Sequence, residues 1–227
     1  MPEQGIIHAL ESALGFIVPD KIAYAVSGIP DASGFVFEEE RLAVRQSGDH
    51  RKREFSAGRA CARVALGKLG YAAQPILSDE DGLPLWPESS LAVITHTRGY
   101  CASIATKDAN YRAIGLDLEK TNRLSHAAIE RVVHPLEADF VRGDQKKASL
   151  LFSAKEAFYK AQYPQWRTSA NFHDLALKVD IVAGEASVVQ IEDRFPEDLC
   201  RLAESFQFRF SFYDDFVVCI CWLGRGD

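Results

Sequence analysis

The amino-acid sequence predicts an α+β fold made of two halves of similar build. Segments with helical periodicity are followed by segments rich in strand-forming residues, and this order occurs once before about residue 113 and again after it. The chain has 227 residues, of which 47% are hydrophobic and 11% aromatic, so each half can bury a core. We therefore expect an N-terminal half over residues 1–112 and a C-terminal half over residues 113–227.

In the first half, one segment has a clear helical period. Its apolar residues line one side, Lys52, Arg59 and Arg63 lie beside them, and Gly70 is placed to end the helix. A turn-rich loop and two strands are expected to follow. The predicted helix, loop and strands cover residues 52–69, 78–84, 91–96 and 100–106.

The second half begins with a strand and then alternates helical and strand-like segments. Pro164 is expected to end its longest helix, because proline lacks the amide hydrogen that a helix interior needs. Asp214 and Asp215 are expected to form the turn of a hairpin. The predicted strand, three helices and four further strands cover residues 113–119, 125–133, 135–141, 146–163, 175–182, 186–191, 206–213 and 216–223.

Composition argues against several classes of protein. A net charge of −6, with no aromatic residues between the basic ones, argues against a nucleic-acid partner. No segment reaches the roughly 18 apolar residues of a membrane span, and the acidic N-terminus does not resemble a signal peptide. The five cysteines form no Cys-x-x-Cys pair. We therefore expect reduced, structural thiols in a cytoplasmic protein.

The strand over residues 113–119 alternates apolar and acidic residues. Residues two apart on a strand share a face, so Asp117 and Glu119 point the same way. One interpretation is a solvated strand face. The other is a site for a hard cation such as Mg²⁺, which prefers carboxylate and phosphate oxygens. The residues alone leave both open.

Glu156 lies within an aromatic stripe of the long predicted helix. On a helix, Phe152, Glu156, Tyr159 and Tyr163 fall within about 60° of each other. Because an unpaired buried carboxylate is costly, Glu156 must be paired, bound to metal or at the edge of a cleft. Partial burial would also suit a general base by raising its pKa. The plain alternative is an i,i+4 ion pair with Lys160.

Two basic features of the first half suit a phosphate ligand. The arginines on the predicted helix could bind a compact polyphosphate, or they could form a solvated helix face. His96 is flanked by Thr95, Thr97 and Arg98, a run of residues that suits a phosphate, although a lone histidine is usually structural.

Two segments together resemble a known family. Gly-Leu-Asp-Leu-Glu at 115–119, followed by Phe-Ser-Ala-Lys-Glu-Ala-Phe-Tyr-Lys at 152–160, is similar to the paired signature of 4′-phosphopantetheinyl transferases. Supporting matches are Phe-Ser-Ala-Gly-Arg at 55–59, Asp-Gly-Leu-Pro at 81–84 and Thr95–His96. The resemblance is to the enterobactin-synthase-component-D-like branch of the long, monomeric, surfactin-synthetase-activating class.

The resemblance implies a fold and a set of site residues. The two halves would pack as a pseudo-dimer, with coenzyme A in an active-site cleft between them. Mg²⁺, with Mn²⁺ as an alternative, would bridge the diphosphate. Glu156 would take the serine proton, Lys160 would assist the departing phosphate, and Asp117 would be required for catalysis. The implied metal ligands are Asp117, Glu119 and Glu156, and the implied coenzyme A contacts are Arg53, Arg59, Gly82, Pro84, Thr95, His96, Lys155 and Lys160.

The activity implied is transfer of 4′-phosphopantetheine from coenzyme A to a serine of an acyl or peptidyl carrier protein. Siderophore, non-ribosomal peptide, polyketide and fatty-acid carriers remain open, and the branch favours siderophore or other secondary metabolism. A monomer is expected, because two halves already make one cleft. Two alternatives remain: a non-catalytic module that binds coenzyme A or a carrier protein, and a nucleic-acid-binding phosphotransferase.

The stretch after the acidic strand is the predicted carrier-docking patch, because acidic carriers need a basic or apolar surface. The alternative is an ordinary amphipathic helix whose apolar side is core. The patch consists of Lys120, Arg123, His126 and Arg131 beside Leu124, Ile129, Val132 and Val133.

Overall fold

The computed structural model describes residues 2–226 and forms two compact units, residues 1–109 and 110–227. Helices and antiparallel sheets occur in both units, which confirms the predicted α+β class. The first unit contains α1 (Pro2–Ile17), β1 (Ala23–Gly28), α2 (Glu38–Ala43), α3 (Asp49–Lys68), β2 (Leu91–Thr97) and β3 (Tyr100–Thr106).

The second unit begins with β4 (Tyr111–Lys120), the predicted acidic strand, extended at both ends. Three short 3₁₀ turns interrupt its helical segments, at Pro135–Glu137, Phe172–Asp174 and Ala203–Ser205. Its other elements are α4 (His126–Val132), α5 (Ala138–Val141), α6 (Gln145–Trp166), β5 (Leu175–Asp180), β6 (Glu185–Ile191), α7 (Glu197–Leu202), β7 (Gln207–Tyr213) and β8 (Phe216–Gly224).

In the first unit, α3 packs on a three-stranded sheet of order β1-β3-β2. The predicted apolar stripe of α3 is buried, with Ala62 and Ala65 fully inaccessible. Gly58 permits the close approach of helix and sheet, because a Cβ at this position would lie 2.9 Å from Cγ2 of Ile94 on β2. Gly70 ends the helix in the left-handed region, at a φ of 90°, as predicted.

In the second unit, α6 packs on β4 and β8 of a five-stranded sheet of order β4-β8-β7-β6-β5. The helix and sheet meet at Gly115 of β4. A Cβ there would overlap the carbonyl oxygen of Ala157 and lie 3.0 Å from Cβ of Ala161, so only glycine allows this contact. Phe158, on the same helix, is buried against Phe206, with ring centroids 4.9 Å apart.

The prediction that Pro164 ends the long helix is wrong. Helix α6 continues to Trp166, and the amide of Arg167 donates to the carbonyl oxygen of Tyr163 over 2.9 Å. Proline at this position forgoes only its own amide bond to the carbonyl oxygen of Lys160, and the helix continues for two more residues. Arg167 then ends the helix in the left-handed region, at a φ of 49°.

Four elements lie where the sequence predicted none: α1, β1, α2 and α7. The hairpin turn at Asp214 and Asp215 is confirmed, because β7 and β8 pair up to Tyr213 and Phe216. All five cysteines are free thiols, as expected. None of the helices within residues 2–226 has the length and apolar character needed to cross a membrane.

Candidate active site

The acidic strand is not a solvated face. Asp117 is 5% exposed and Glu119 is 4% exposed. The close contact at Gly115 explains their burial, because it brings α6 onto the face of β4 that carries both acids. Leu116, on the opposite face, is also buried, as the alternating pattern predicts.

Lys160 supplies the charge that Asp117 needs in this buried position. Its Nζ lies 2.6 Å from Oδ1 of Asp117. Lys160 precedes Ala161, which touches Gly115, so the same helix–strand contact that buries Asp117 also delivers its counter-ion. The structure therefore pairs Lys160 with Asp117 on the facing strand.

Glu119 is held by two donors from its own neighbourhood. Its Oε1 accepts a hydrogen bond from the backbone amide of Lys120 over 2.7 Å, and its Oε2 lies 2.9 Å from Nη1 of Arg123. The sequence pattern gave no role to Arg123 at the acids. The two carboxylates of β4 thus each face a basic side chain.

Glu156 is half-buried and faces both acids of β4. Burial raises its pKa, Lys160 acts in the opposite direction, and the charges of Asp117 and Glu119 raise it further. Within the described residues, Lys160 forms its close ion pair with Asp117, and it acts on Glu156 through its charge alone, so the plain alternative of an i,i+4 ion pair is not observed. The carboxylate is held close to two others and is available to a ligand.

The three predicted metal ligands are near one another, but residues 2–226 contain no group of three His, Cys, Asp or Glu side chains set to hold a metal ion. Their chemistry nevertheless fits Mg²⁺, which takes oxygen ligands. Asp117 and Glu119 raise the pKa of Glu156 by repulsion, and a divalent cation would relieve that repulsion.

A pocket of roughly 110 Å³ opens beside Glu156. Aromatic rings shape its surroundings: Phe152 lies 5.2 Å from Phe172, and Tyr159 lies 5.1 Å from Tyr163, between ring centroids. Part of the lining comes from a segment to which the sequence assigned no function. The lining residues are Lys155, Glu156, Phe158, Tyr159, Ala170, Asn171, Phe172, Leu175 and Phe195.

Lys155 does not face this pocket with its charge. It is 4% exposed, and its Nζ donates to the carbonyl oxygens of Val132 and Phe172 and to Oε2 of Glu137. Burial lowers its pKa, and Glu137 opposes that shift. The implied contact of Lys155 with coenzyme A conflicts with this geometry, because an ammonium group has only three donors and all three are used.

Arg59 of the first unit is also turned inward. It is 6% exposed, its guanidinium lies 4.3 Å from the ring centroid of Phe55, and burial lowers its pKa to about 10. It donates to the carbonyl oxygen of Ile76 over 2.8 Å and to Oγ of Ser78 over 3.0 Å. The predicted basic stripe is therefore not an open surface. Arg63 likewise pairs with the buried Glu40.

The loop that Arg59 holds carries Gly82 and Pro84, two of the implied coenzyme A contacts. Gly82 takes a φ of 83°, a conformation that favours glycine. Asp79 closes the loop by accepting hydrogen bonds from the amides of Asp81 and Leu83. Pro84 forms a bridge with Ser78. The loop is a built turn, and its base is fixed by Arg59.

His96 and Arg53 keep partly exposed side chains in the first unit. His96 Nδ1 lies 3.2 Å from Oε1 of Glu54, and His50 Nε2 lies 3.1 Å from the same oxygen. Thr95 is buried and precedes His96 on β2, so the two side chains point to opposite faces. Thr97 is buried as well, so of the run from Thr95 to Arg98 only His96 and Arg98 are exposed.

Comparison with known proteins follows the division into units. Residues 38–106 match the model of the 4′-phosphopantetheinyl transferase N-terminal domain, and residues 113–221 match that of the 4′-phosphopantetheinyl transferase superfamily. The chain belongs to the 4′-phosphopantetheinyl transferase family. This confirms the resemblance on which the site assignment was based.

Named relatives agree with the family models. The chain is 33% identical to 4′-phosphopantetheinyl transferase Svp of Streptomyces mobaraensis, over 68% of this chain and 65% of that protein. It is 33% identical to 4′-phosphopantetheinyl transferase Npt of Nocardia iowensis, over 65% of this chain and 68% of that protein. Enterobactin synthase component D of Salmonella typhi is 34% identical over 52% of this chain and 51% of that protein. The matches thus span about half to two thirds of these relatives.

Solved structures with similar folds include a holo-ACP-synthase from Plasmodium yoelii, at a TM-score of 0.40 and 20% identity. The match covers 52% of this chain and 97% of the Plasmodium yoelii chain. The holo-[acyl-carrier-protein] synthase of Thermotoga maritima has a TM-score of 0.38 and 18% identity, over 51% and 65%.

Half of the predicted carrier-docking patch packs into or against the core of the second unit. Leu124 and Val132 are buried, and Ile129 and Val133 pack against the core of the second unit. The exposed residues of α4 are His126, Ala127, Glu130 and Arg131, so this surface carries an acidic as well as a basic side chain. Near them, the exposed apolar residue is Leu136, 62% accessible, which the sequence did not select.

Proposed function

We propose that the protein transfers the 4′-phosphopantetheine group of coenzyme A to a serine of an acyl or peptidyl carrier protein and releases adenosine 3′,5′-bisphosphate. Family membership supports the reaction class. The observation that carries the proposal is the β4–α6 contact, which gathers Asp117, Glu119, Glu156 and Lys160 beside a pocket.

In this mechanism, Glu156 removes the proton of the carrier serine, directly or through a water molecule. Its raised pKa and its lack of a hydrogen-bond partner in the described chain suit that task. The serine oxygen forms a bond to the β-phosphorus, and the bond from that phosphorus to the oxygen of the α-phosphate breaks. Lys160 is placed to stabilise or protonate the departing phosphate.

Mg²⁺, held by Asp117, Glu119 and Glu156, would supply charge neutralisation at the diphosphate. Asp117 and Glu119 are buried with basic partners, so their orientation is set before the cation arrives. In the absence of metal, Lys160 partly neutralises the acidic cluster.

The pocket beside Glu156 suits the uncharged pantetheine arm of coenzyme A. Phe172, Leu175 and Phe195 give it apolar walls, and Asn171 adds a polar group. Because the arm is joined to the phosphorus under attack, a pocket next to the base is where it must lie. We therefore assign Phe172 to binding of the arm.

For the 3′-phosphate, we propose contacts from His96 and Arg53, whose side chains are partly exposed. Arg59 acts indirectly in this scheme, since its donors hold Ile76 and Ser78 at the base of the loop that carries Gly82 and Pro84. That loop is the proposed adenine contact. The relatives named enterobactin synthase component D favour a siderophore or related secondary-metabolite carrier.

The test is incubation of the protein with coenzyme A, Mg²⁺ and a panel of apo carrier proteins, followed by mass spectrometry of each carrier. The expected result is a gain of one phosphopantetheine on at least one carrier. Asp117→Ala should abolish the gain at ordinary Mg²⁺ while circular dichroism shows an intact fold. Tight binding of coenzyme A without any mass gain would instead support a non-catalytic binding module.

A further inference from the structure

We propose that Lys155 and Glu137 form a positioning unit, which sets the pocket wall and the helix face that carries Glu156 without touching substrate. This inference rests on the phosphopantetheinyl transfer proposed above. It starts from the environment of Lys155, whose side chain is 3% exposed and follows the inner face of α6.

The ammonium group of Lys155 joins three elements. It donates to the carbonyl oxygen of Val132 at the end of α4, to that of Phe172 in the second 3₁₀ turn, and to Glu137 in the first, at 2.9, 2.9 and 2.8 Å. An ammonium group has three donors and no acceptor, so none is left for a phosphate. Lys155 therefore acts through the groups that it holds.

Glu137 completes the unit from the other side. Its Oε2 accepts from the backbone amide of His134 over 2.8 Å as well as from Lys155, and its Oε1 accepts from the amide of Leu177 over 2.8 Å. The side chain is 1% exposed. One buried carboxylate thus satisfies the start of its own 3₁₀ turn, an amide of the β5 strand and the ammonium of α6.

These bonds converge on the pocket wall. Lys155 fixes the backbone of Phe172, whose ring packs 5.2 Å from that of Phe152 and lines the pocket. Glu156 follows Lys155 on the helix, so the anchoring of Lys155 also restrains the rotation of α6 about its axis. A buried charge pair tolerates little displacement, because loss of either partner leaves the other uncompensated.

The test compares Lys155→Met with Glu137→Gln, two changes that keep side-chain size and remove one partner each. If the pair positions the base and the pocket wall, both variants lose kcat on the order of 10²-fold, as a misplacement of about 1 Å costs. The Kd for coenzyme A, from calorimetry, should rise only about threefold and to the same extent in both variants, because the wall beside the pantetheine arm loosens while no phosphate contact is removed. The double variant should lose little more than the worse single one, since residues of one unit are not additive.

Arg112→Met is the matched control. It breaks an ion pair with Asp198 and a stacking contact with Trp166 at the other end of α6. Stability should fall, as in the test variants, but kcat should stay near that of the wild type. If Lys155→Met fails to fold, Glu137→Gln decides, because it leaves Lys155 two of its three acceptors.

Two results overturn the inference. A tenfold or larger loss of coenzyme A affinity in Lys155→Met alone would show a direct phosphate contact, and near-native kcat in folded Glu137→Gln would show that the pair positions nothing. Hydrogen exchange gives a readout that needs no turnover: residues 171–177 should lose protection in both variants. If the wild type modifies no carrier, the proposed function fails; unchanged protection of 171–177 would then overturn the inference separately.

Discussion

The two compact units use the same kind of contact for different ends. In each, one long helix lies on an antiparallel sheet through a glycine: Gly58 of α3 meets β2, and Gly115 of β4 meets α6. Around Gly58, the neighbouring Arg59 is turned inward to hold a loop. Around Gly115, Lys160 and Glu156 face buried acids.

The difference lies in which charges the contact brings together. In the first unit, basic residues of the helix find internal acceptors, and a structured loop results. In the second unit, a carboxylate of the helix is placed beside two carboxylates of the strand, and its pKa is raised by burial and further by repulsion from those two acids. As we propose, the same kind of helix–sheet contact therefore supports coenzyme A binding in the first unit and chemistry in the second.

The largest expected effect is a difference in kcat between variants of two helix carboxylates, Glu156 in the second unit and Glu54 in the first. Glu156→Gln keeps the shape of the side chain but removes its charge and basicity, so kcat should fall by about 10²–10⁴-fold. Glu54→Gln, at the corresponding helix–strand contact of the first unit, should mainly raise the KM for coenzyme A through its partner His96. Steady-state kinetics of both variants measures the contrast. A loss of kcat in Glu54→Gln as large as in Glu156→Gln would contradict the proposal that the first unit binds coenzyme A and the second carries out the chemistry.

The two glycines should differ in their tolerance of a methyl group. In Gly115→Ala the new methyl group overlaps the backbone of Ala157. We expect the free energy of unfolding to fall by at least the amount typical of overpacking, about 1–3 kcal/mol. In Gly58→Ala the new Cβ meets the Cγ2 methyl of Ile94 at 2.9 Å and no backbone atom. We therefore expect a smaller loss, offset in part by the about 0.5–1 kcal/mol that a helical alanine regains. Denaturant unfolding of both variants gives the two values, and equal losses would contradict the packing described.

The role of the first unit can be sharpened with dephospho-coenzyme A, which lacks the 3′-phosphate. His96→Ala should raise the KM for coenzyme A by about tenfold or more, the value of one hydrogen bond to a charged group, and should barely affect the dephospho analogue. Arg59→Ala should impair both substrates alike, because its donors hold Ile76 and Ser78. A loss confined to coenzyme A in Arg59→Ala would restore a direct phosphate contact for this residue.

The smallest expected effect concerns the carrier protein. Arg131 is exposed on α4, and Arg131→Glu should raise the carrier KM by about two- to fivefold, in the range of surface charge pairs. The defect should shrink as salt rises, because screening weakens the repulsion. Arg201→Glu, an equal change of charge on exposed α7, is the control. Identical carrier KM values for the two variants would place the docking surface elsewhere.

The sequence by itself determined those parts of the protein that depend on local spacing. Alternation placed Asp117 and Glu119 on one strand face, and helical spacing placed Glu156 and Tyr159 together; both arrangements are observed. The paired signature also identified the family. These features follow from the periods of strand and helix, which are properties of the chain alone.

Only the tertiary structure decided which element covers each face. Lys155 and Glu156 are adjacent and differ by about 100° around the helix. Even so, Lys155 donates to buried acceptors, whereas Glu156 faces the site. Arg59 is likewise buried, with a hydrogen bond to the carbonyl oxygen of Ile76, and Leu124 is buried in the core. Spacing tells which residues share a side, but partners from remote segments decide whether that side meets solvent, substrate or protein.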